Sequence, residues 1–270
     1  MNNILLLGVT YHSYDELEKF VLSVEKAAVY AKEQFYVTVA IGDNTDSNIK
    51  EISLNSSNIE ILTFPYHENI GYLGCAFRML HDLGKEHLTK YKFISISNID
   101  VLLEFDFFLN LASVDTRGCG WLAPDIFTPS RGTHENPFMV TRPTKYHFMK
   151  WQMMYASPLL YGIMERLSQS LRRQQTTIAK PMSIYAGHGS FMLFTGSFIL
   201  SLEEFVFPSF MYAEEIYFAE KILERRLCVE FCPVLRIKNT GSVSVSVLGK
   251  KWKCKQNRDS LRIIKKLFFS

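Results

Sequence analysis

The amino-acid sequence predicts an α/β domain with a mostly parallel, Rossmann-like central sheet flanked by helices. Two observations support this fold class. Short β-branched apolar runs alternate with stretches of helical spacing along the first half of the chain, and several runs end in clusters of polar, turn-forming residues. The chain has 270 residues, 47% hydrophobic and 21% charged, which suffices for one large domain or two small ones with a substantial core.

The first half of the chain has the predicted order strand, helix, strand, strand, helix, strand. Strands are predicted over residues 4–9, 35–41 and 59–64, and a fourth begins at Phe93 and ends at Asp100. The first helix follows the capping-box pair Ser13 and Glu16, and the second covers residues 76–83. This order is typical of a doubly wound sheet with right-handed crossovers.

The fourth strand is the centre of the prediction. Its apolar residues Phe93, Ile94 and Ile96 are followed by the polar residues Asn98 and Asp100. A buried strand with a carboxylate at its carboxyl end is the usual layout of an α/β ligand site. The alternative is an Asx-type turn that only leads into the next helix.

Polar residues follow the other predicted strands as well, and the carboxyl ends of parallel strands share one edge of a sheet. We therefore expect one ligand site to be formed by eight residues, namely Thr10, Tyr11, Asp43, Asn44, Asn69, Gly71, Asn98 and Asp100.

The second half of the chain is less regular. A short helix over 107–114 and a strand over 118–122 are predicted. Residues 124–150 contain four prolines and indicate a long loop. This loop either forms a wall for a bound acceptor or is an ordinary surface loop. An aromatic and methionine-rich helical pattern spans Trp151 to Leu171. It fits a core helix of an inserted segment better than a helix on a membrane or a partner subunit.

Four blocks of the first half resemble those of family 2 glycosyltransferases with the GT-A fold, of the rhamnosyltransferase-like branch. They are Val9-Thr10-Tyr11, Gly42-Asp43-Asn44-Thr45-Asp46, Asn69-Ile70-Gly71 and Asn98-Ile99-Asp100. The resemblance implies that Thr10 and Tyr11 lie against the donor nucleotide, with Asn44, Asn69, Gly71 and Asn98 around it, and that Asp43 binds the base. It also implies that Asp100 holds Mg2+ or Mn2+ on the donor diphosphate, although Asn98 stands where a strict DxD motif has an acid.

Two blocks of the second half extend this resemblance. Residues 207–218 look like the family's F-x-Y-x-E-D-x-D-L segment, which places the general base on Glu215, with Glu214 beside it and Tyr212 as an acceptor contact. The nearby aromatic rings are expected to raise the pKa of a carboxylate here. The alternative is that the two acids only favour the positive end of a helix dipole.

Two further residues are acceptor or phosphate candidates within less specific blocks. His188 lies in the block Tyr185–Phe194, which resembles a strand beside the acceptor pocket. Asn239 stands where many relatives have a histidine that binds phosphate or metal. A lone histidine is more often structural, so His188 also has that interpretation.

The resemblance gives a domain plan. A GT-A domain over 1–249 comprises a nucleotide-binding half of about 1–115, an acceptor half of about 116–249 and a helical insertion of about 145–180. Residues 250–270 form a basic amphipathic tail that either contacts an anionic membrane or is a solvated tail.

The cysteine content, the N-terminal sequence and the net charge indicate the cellular location and the class of binding partner. Five cysteines without metal-site spacing indicate thiols in a reducing compartment. The N-terminus does not resemble a signal peptide, and the formal charge of +3 does not indicate nucleic acid. We expect a cytoplasmic protein, with peripheral contact at the inner face of the plasma membrane as a further option.

The sequence therefore predicts a metal-dependent, inverting glycosyltransferase of polysaccharide biosynthesis. Its donor would be a UDP- or dTDP-linked sugar, and its acceptor a hydroxyl of a bacterial surface glycan or a lipid-linked oligosaccharide. The alternative is a non-catalytic nucleotide- or glycan-binding protein of the same fold. A sugar-phosphate nucleotidyltransferase is disfavoured because Gly8–His12 lacks the Gly-rich, basic loop that such enzymes carry after the first strand.

Overall fold

The computed structural model describes residues 2–164, 180–241 and 249–270. Within these ranges the strands are β1 (Asn2–Thr10), β2 (Phe35–Asp43), β3 (Glu60–Pro65), β4 (Phe93–Asn98), β5 (Val101–Leu103), β6 (Cys119–Thr128), β7 (Thr133–His134), β8 (Met182–Ile184), β9 (Phe191–Thr195) and β10 (Cys228–Asn239). The α-helices, numbered in chain order, are α1 (Tyr14–Tyr30), α2 (Tyr72–Leu83), α3 (Lys85–Leu88), α4 (Phe107–Ala112), α5 (Lys145–Met154), α6 (Gly196–Leu200), α7 (Glu214–Glu224) and α8 (Lys250–Phe268). A 3-10 turn covers Lys32–Gln34, and residues 158–164 are also helical.

The strands form one mixed sheet in the order β3-β2-β1-β4-β9-β6-β10-β5, with β7 paired to β6 and β8 to β10. Strands β3, β2, β1 and β4 are mutually parallel. Strand β9 lies antiparallel between β4 and β6, and β6 is parallel to β10. The predicted α/β class with a central sheet is therefore confirmed, with parallel pairing in β3-β2-β1-β4 and β6-β10 and antiparallel pairing at the other strands.

Helices cover both faces of the sheet, so there is a hydrophobic core on each face. The side chains of β1 point alternately into these two cores. Ile4 and Leu6 belong to a core with α1 and α4, whereas Leu5 and Leu7 belong to a core with α2, α6, α7 and α8. A strand buried on both faces is expected to be apolar at nearly every position, which explains the continuous run of β1. This burial fixes the register that aligns the strand ends.

The first helix begins as predicted, but its expected cap is different. The Ser13 hydroxyl donates to the carbonyl oxygen of Tyr11 at 3.1 Å, and no side-chain hydrogen bond caps the helix. Short polar side chains near helix starts often bond their own backbone in this way.

The prediction of a long loop over 124–150 is wrong at both ends of the range, although residues 135–144 form neither a strand nor a helix. Strand β6 runs through Pro124 to Thr128, β7 pairs with it, and α5 begins at Lys145. The register of β10 against β6 shifts between the pairs Cys232–Pro124 and Arg236–Asp125, so the proline lies at an irregularity of the ladder. A proline in a sheet is tolerated at such a place, where its missing N–H costs little.

The aromatic and methionine-rich pattern is only partly described. Helix α5 starts six residues before Trp151, where Thr144 and His147 form a capping box, and the phenylalanine Phe148 is fully buried. Other residues of this region are exposed, among them Met153 at 69% and Leu159 at 74%. The part of the predicted insertion over 165–179 lies outside the described residues.

The C-terminal segment forms a helix, and one face of this helix packs against the rest of the protein. The interpretation as a fully solvated tail is therefore wrong. Cys254, Leu261 and Ile264 of α8 are buried, and the last two belong to the same core as α2 and α7. The helix packs against α5 and α7. Of the described residues, no helix is long and apolar enough to cross a membrane.

Candidate functional site

The polar residues predicted at strand ends lie at one edge of the sheet. In the parallel ladders Thr10 is paired with Asp43, and Val9 with Asn98. These are the last residues of β1, β2 and β4 or their immediate neighbours, so three of the four predicted blocks meet side by side. The sheet register thus brings together residues that are up to ninety positions apart in the sequence.

Asp43 and Asn44 are held firmly at the end of β2. The Asp43 carboxylate, 1% exposed as a residue, accepts hydrogen bonds from the Thr45 N–H at 2.9 Å and from the Tyr14 hydroxyl at 3.1 Å. The Asn44 N–H donates to the carbonyl oxygen of Thr10, and its amide group donates to that of Gly71, both at 2.9 Å. Tyr11 is more peripheral, with its hydroxyl 3.5 Å from Asp46.

Gly71 connects this edge to the loop that precedes α7. Its φ of 80° favours glycine, and an added Cβ would overlap the carbonyl oxygen of Phe210. The side chain of Asn69 accepts a hydrogen bond from the Gly71 N–H at 3.3 Å. The third block therefore lies directly against the block that carries the predicted base.

Asp100 is a buried carboxylate beside the end of β10. Its main-chain oxygen accepts hydrogen bonds from the N–H and the hydroxyl of Thr240, both at 2.8 Å. Burial raises the pKa of Asp100 to about 6, and the nearby Glu16 adds to this. Asn239 is paired with Val101 in the antiparallel ladder, and its side chain accepts from the Gly241 N–H at 2.9 Å.

The start of α7 has an unusual backbone. Tyr212 and Ala213 both have positive φ, at 72° and 67°, and such strain in non-glycine residues concentrates at functional sites. The Glu214 carboxylate accepts a hydrogen bond from the Tyr212 N–H at 2.8 Å. Burial, and then repulsion by Glu215, raises the pKa of Glu214 to about 8. The raised pKa thus belongs to Glu214, the neighbour of the predicted base, and its causes are burial and Glu215 rather than the aromatic rings.

Glu215 is only partly buried and bridges α7 to the loop before β9. Its carboxylate accepts a hydrogen bond from the Gly189 N–H at 3.2 Å. The carbonyl oxygen of the same glycine accepts from the hydroxyl of Tyr72, at 3.2 Å. Gly189 thereby joins the predicted base to the first residue of α2.

Tyr72 is a site residue that the sequence analysis missed. Burial, followed by the negative charges of Glu214, Asp100 and Glu215, raises the pKa of its hydroxyl well above the ordinary value. The Tyr72 hydroxyl therefore interacts electrostatically with the three acids of the predicted site. The only signal in the sequence was its place directly after the Asn-Ile-Gly block, which does not by itself indicate a contact with residues 189 or 214.

His188 is held by a second missed residue, Asn136. The His188 N–H donates to the Asn136 side chain at 2.8 Å, and the imidazole Nδ1 lies 2.9 Å from the Ser190 hydroxyl. Asn136 itself is 3% exposed and donates to the carbonyl oxygen of Pro124. Since Asn136 lies in the segment expected to be a loop, its role could not be anticipated.

Several predicted site residues have a buried polar atom without a hydrogen-bond partner. In the described part of the chain seven side-chain atoms are of this kind, and four of the seven belong to predicted site residues, namely Thr10 Oγ1, Asn44 Oδ1, Asp100 Oδ1 and the Tyr212 hydroxyl. Buried polar groups in proteins are nearly always paired, so such a concentration indicates a polar ligand site.

The residues around Asp100 fit a divalent cation that takes only one protein carboxylate. In the described ranges, the one group of three metal-ligating side chains that meet closely lies elsewhere, at Cys119, Cys228 and Glu230. A magnesium-like ion commonly uses one or two carboxylates and completes its shell with water and substrate phosphates. The unpaired Asp100 Oδ1 is suited to that arrangement.

Comparison with known proteins identifies the fold of the chain but does not identify a specific activity. No protein-family model and no curated protein matches the sequence. Among solved structures, GalNAc-T7 with UDP, GalNAc and Mn2+ superposes with a TM-score of 0.59 at 12% identity, over 99% of this chain and 48% of that chain. TarS 1-349 of S. aureus gives a TM-score of 0.50 at 10% identity, over 89% of this chain and 60% of that one.

These neighbours are GT-A glycosyltransferases, so the chain has the GT-A fold. The chain spans about half of the first neighbour's length and three fifths of the second's.

Proposed function

We propose that the protein is an inverting glycosyltransferase that moves a hexose from a UDP- or dTDP-linked donor to a hydroxyl of a bacterial surface glycan or lipid-linked oligosaccharide. The observation that carries this proposal is the set of four buried polar atoms without a hydrogen-bond partner on residues predicted for one site of a GT-A fold, namely Thr10, Asn44, Asp100 and Tyr212. Glu214 and Glu215, the first two residues of α7, follow shortly after Tyr212. The rhamnosyltransferase-like resemblance is part of the proposal.

The nucleotide would lie across the ends of β1 and β2. Thr10 and Tyr11 would contact it, Asn44, Asn69, Gly71 and Asn98 would line it, and Asp43 would accept a hydrogen bond from the base. Since the Asp43 carboxylate already accepts two hydrogen bonds from its own protein, its position is fixed before the donor binds. Such preorganisation lowers the entropy cost of binding.

The acid at Asp100 would face the diphosphate. It would hold Mg2+ or Mn2+, which supplies positive charge to a departing diphosphate. His188 and Asn239 would add polar contacts to the acceptor or the phosphates.

Glu215 would act as the general base. Its carboxylate takes the proton of the acceptor hydroxyl, the acceptor oxygen attacks the anomeric carbon, and the bond from that carbon to the diphosphate oxygen breaks with its electron pair on the leaving group. One displacement of this kind inverts the anomeric configuration. The single hydrogen bond from Gly189 orients the carboxylate, and its partial exposure leaves it accessible to an acceptor.

Glu214 would have a positioning role. Its carboxylate accepts a hydrogen bond from the Tyr212 N–H and so stabilises the strained turn at the start of α7. This turn would fix the orientation of the Tyr212 and Glu215 side chains. A protonated Glu214 would also limit repulsion between two adjacent acids, which favours keeping Glu215 in place.

The acceptor side would include a membrane-facing surface formed by α5 and α8. Lys251, Lys255, Arg258, Arg262 and Lys266 recur at intervals of three or four residues along α8, so they share one side of that helix. Exposed apolar residues, including Tyr146, Met149 and Met153, lie on α5, which packs against α8. Cations beside apolar side chains suit an anionic bilayer, where each lysine or arginine contributes about 1 kcal/mol.

An activity assay and a product analysis by NMR test this function. Purified protein with each nucleotide sugar and a glycan or lipid-linked acceptor should release nucleoside diphosphate, and the product should have inverted anomeric configuration by NMR. Glu215→Gln should abolish release while Glu204→Gln, an exposed control, keeps it. Retained turnover in Glu215→Gln, or a product of retained configuration, would contradict the mechanism.

Membrane contact is measured separately. Sedimentation with vesicles containing anionic lipid should capture the protein, and replacement of Lys251, Lys255 and Lys266 by glutamine should prevent capture. Equal binding to neutral vesicles, or no binding at all, would refute this part of the proposal.

The alternative, a non-catalytic nucleotide- or glycan-binding protein of the same fold, is based on three departures from the family pattern. Asn239 stands in place of a histidine, Tyr217 stands in place of the second aspartate of the E-D-x-D block, and few acids surround Asp100, with Asn98 in place of one. Such a protein would bind a nucleoside diphosphate but neither transfer nor hydrolyse the donor sugar, and the turnover assay distinguishes the two.

A further inference from the structure

A second cluster of reactive side chains lies at the opposite edge of the sheet from the candidate site. Cys119 is the first residue of β6 and Cys228 the first of β10, and the two are paired in the parallel ladder. Glu230 follows two residues after Cys228 on the same strand. Because β6 and β10 run parallel to β4, their amino ends lie away from the edge where β4 ends near Asp100. This cluster is therefore separate from the predicted donor site.

The three side chains already approach each other. Their potential ligand atoms, two sulfurs and one carboxylate oxygen, all lie within 4.8 Å of one another. In a tetrahedral zinc site, with Zn–S near 2.3 Å and Zn–O near 2.0 Å, ligand atoms are about 3.5–3.8 Å apart. Shifts of about 1 Å or less, within the reach of side-chain rotation, would bring the three atoms to that spacing.

We infer that Cys119, Cys228 and Glu230 form a binding site for a thiophilic divalent cation, Zn2+ in the first place, with water as the fourth ligand. Two thiolates select a soft or borderline metal over the Mg2+ or Mn2+ expected at Asp100. The carboxylate lowers the net charge of the occupied site further and completes three protein ligands.

The surroundings of the cluster suit a structural metal. Cys119 is 3% exposed, and its thiol donates hydrogen bonds to the carbonyl oxygens of Trp121 at 3.3 Å and of Cys228 at 3.5 Å, so metal binding would release the thiol proton and replace these bonds. The Cys228 N–H donates to the carbonyl oxygen of Gly118 at 2.9 Å, so the backbone on both sides is already fixed. Cys228 and Glu230 are partly exposed, which provides a route for the ion from solvent.

A cation here would link the starts of two neighbouring strands that are distant in sequence. The ladder between β6 and β10 shifts its register directly after Cys228. A metal bridging Cys119 and Cys228 would hold the strands together at that irregularity. We therefore expect the bound ion to stabilise the acceptor half of the sheet without taking part in sugar transfer.

The test uses the full chain, purified under reducing conditions without chelator. Metal analysis should find about one Zn2+ per chain after dialysis, and replacement by Co2+ should produce the intense sulfur-to-cobalt charge-transfer absorption of thiolate ligands. Zn2+ should raise the melting temperature of the wild type. Cys119→Ser should lose the absorption and the thermal shift, and Glu230→Gln should bind Co2+ more weakly while keeping part of the absorption.

Cys75→Ser is the control, because Cys75 is a fully buried thiol on α2 that does not belong to the cluster. It should keep both the metal and the absorption. Absence of zinc and of the cobalt absorption in the wild type would overturn the inference. So would an absorption that persists in Cys119→Ser, or a disulfide between Cys119 and Cys228, mapped by mass spectrometry, that forms in place of metal binding.

Discussion

Replacement of Glu214 by glutamine should change how the stability of the protein depends on pH. Burial and the neighbouring Glu215 raise the pKa of Glu214 from an ordinary 4.5 to about 8 in the folded protein. Between these values the folded protein keeps a proton that the unfolded chain has lost. The free energy of unfolding therefore falls as the pH rises through this window, and it is constant, as far as Glu214 is concerned, below 4.5 and above 8.

The expected magnitude follows from the proton that is bound. Each pH unit well inside the window costs about 1.4 kcal/mol, so a rise from pH 6.5 to 8.5 should lower the stability by about 2 kcal/mol on account of Glu214. Asp100 contributes in the same direction, but its pKa of about 6 confines that contribution to lower pH. The range from 6.5 to 8.5 thus isolates Glu214 from Asp100.

Urea unfolding at several pH values, followed by tryptophan fluorescence, measures this effect. Glutamine has the shape of the protonated acid and still accepts the hydrogen bond from the Tyr212 N–H, so Glu214→Gln should remove most of the slope. Glu204→Gln, at an exposed position in the preceding segment, should leave the slope as it is in the wild type. If Glu214→Gln loses as much stability as the wild type between pH 6.5 and 8.5, then the buried, proton-holding environment assigned to Glu214 is wrong.

Three further outcomes are expected. Glu215→Gln should lower the turnover number by about 100-fold or more, with little change in melting temperature, as nucleotide release will measure. Gly71→Ala should lower the free energy of unfolding by about 2–4 kcal/mol in urea, because the added methyl overlaps the carbonyl oxygen of Phe210 and the positive φ is unfavourable for alanine. Gly118→Ala, which has a φ of 71° but open space around its Cβ position, should lower it by only about 1 kcal/mol. Equal losses in the two variants would contradict the contact with Phe210. Arg142→Ala should cost about 1–3 kcal/mol, because the buried Glu220 loses a two-pronged ion pair at 2.7 and 2.8 Å with a half-exposed arginine. Arg117→Ala, at the fully exposed Asp115 pair, should leave the stability nearly unchanged, and a cost at Arg142 no larger than at Arg117 would refute this reasoning.

Local patterns in the sequence were sufficient for the first half of the sheet. The strands β1, β2 and β4 have apolar runs bounded by turn formers, and parallel pairing then aligns Thr10, Asp43 and Asn98 without further information. The candidate donor edge could be predicted for this reason. The roles of its residues stay predictions.

Long-range packing determined what the sequence did not reveal. Pro124 resembles a loop residue, yet it is tolerated inside β6 because the ladder with β10 is irregular there. The contact of Tyr72 with Gly189 joins residues 117 positions apart, and no local pattern indicates such a pair. The basic residues of α8 drew attention to its solvent side, although its other side is part of the core.

The central claim, a nucleotide-sugar site built around Asp100, is tested most directly by thermal shift with UDP, GDP, dTDP and CMP, each with and without Mn2+. A ligand at about one hundred times its dissociation constant stabilises a protein by about 2.7 kcal/mol, which is readily measured. We predict a shift with UDP or dTDP that requires Mn2+ and is lost in Asp100→Ala, while Asp115→Ala, an exposed control, keeps it. No shift with any nucleotide, or a shift that Asp100→Ala leaves unchanged, would contradict the claim.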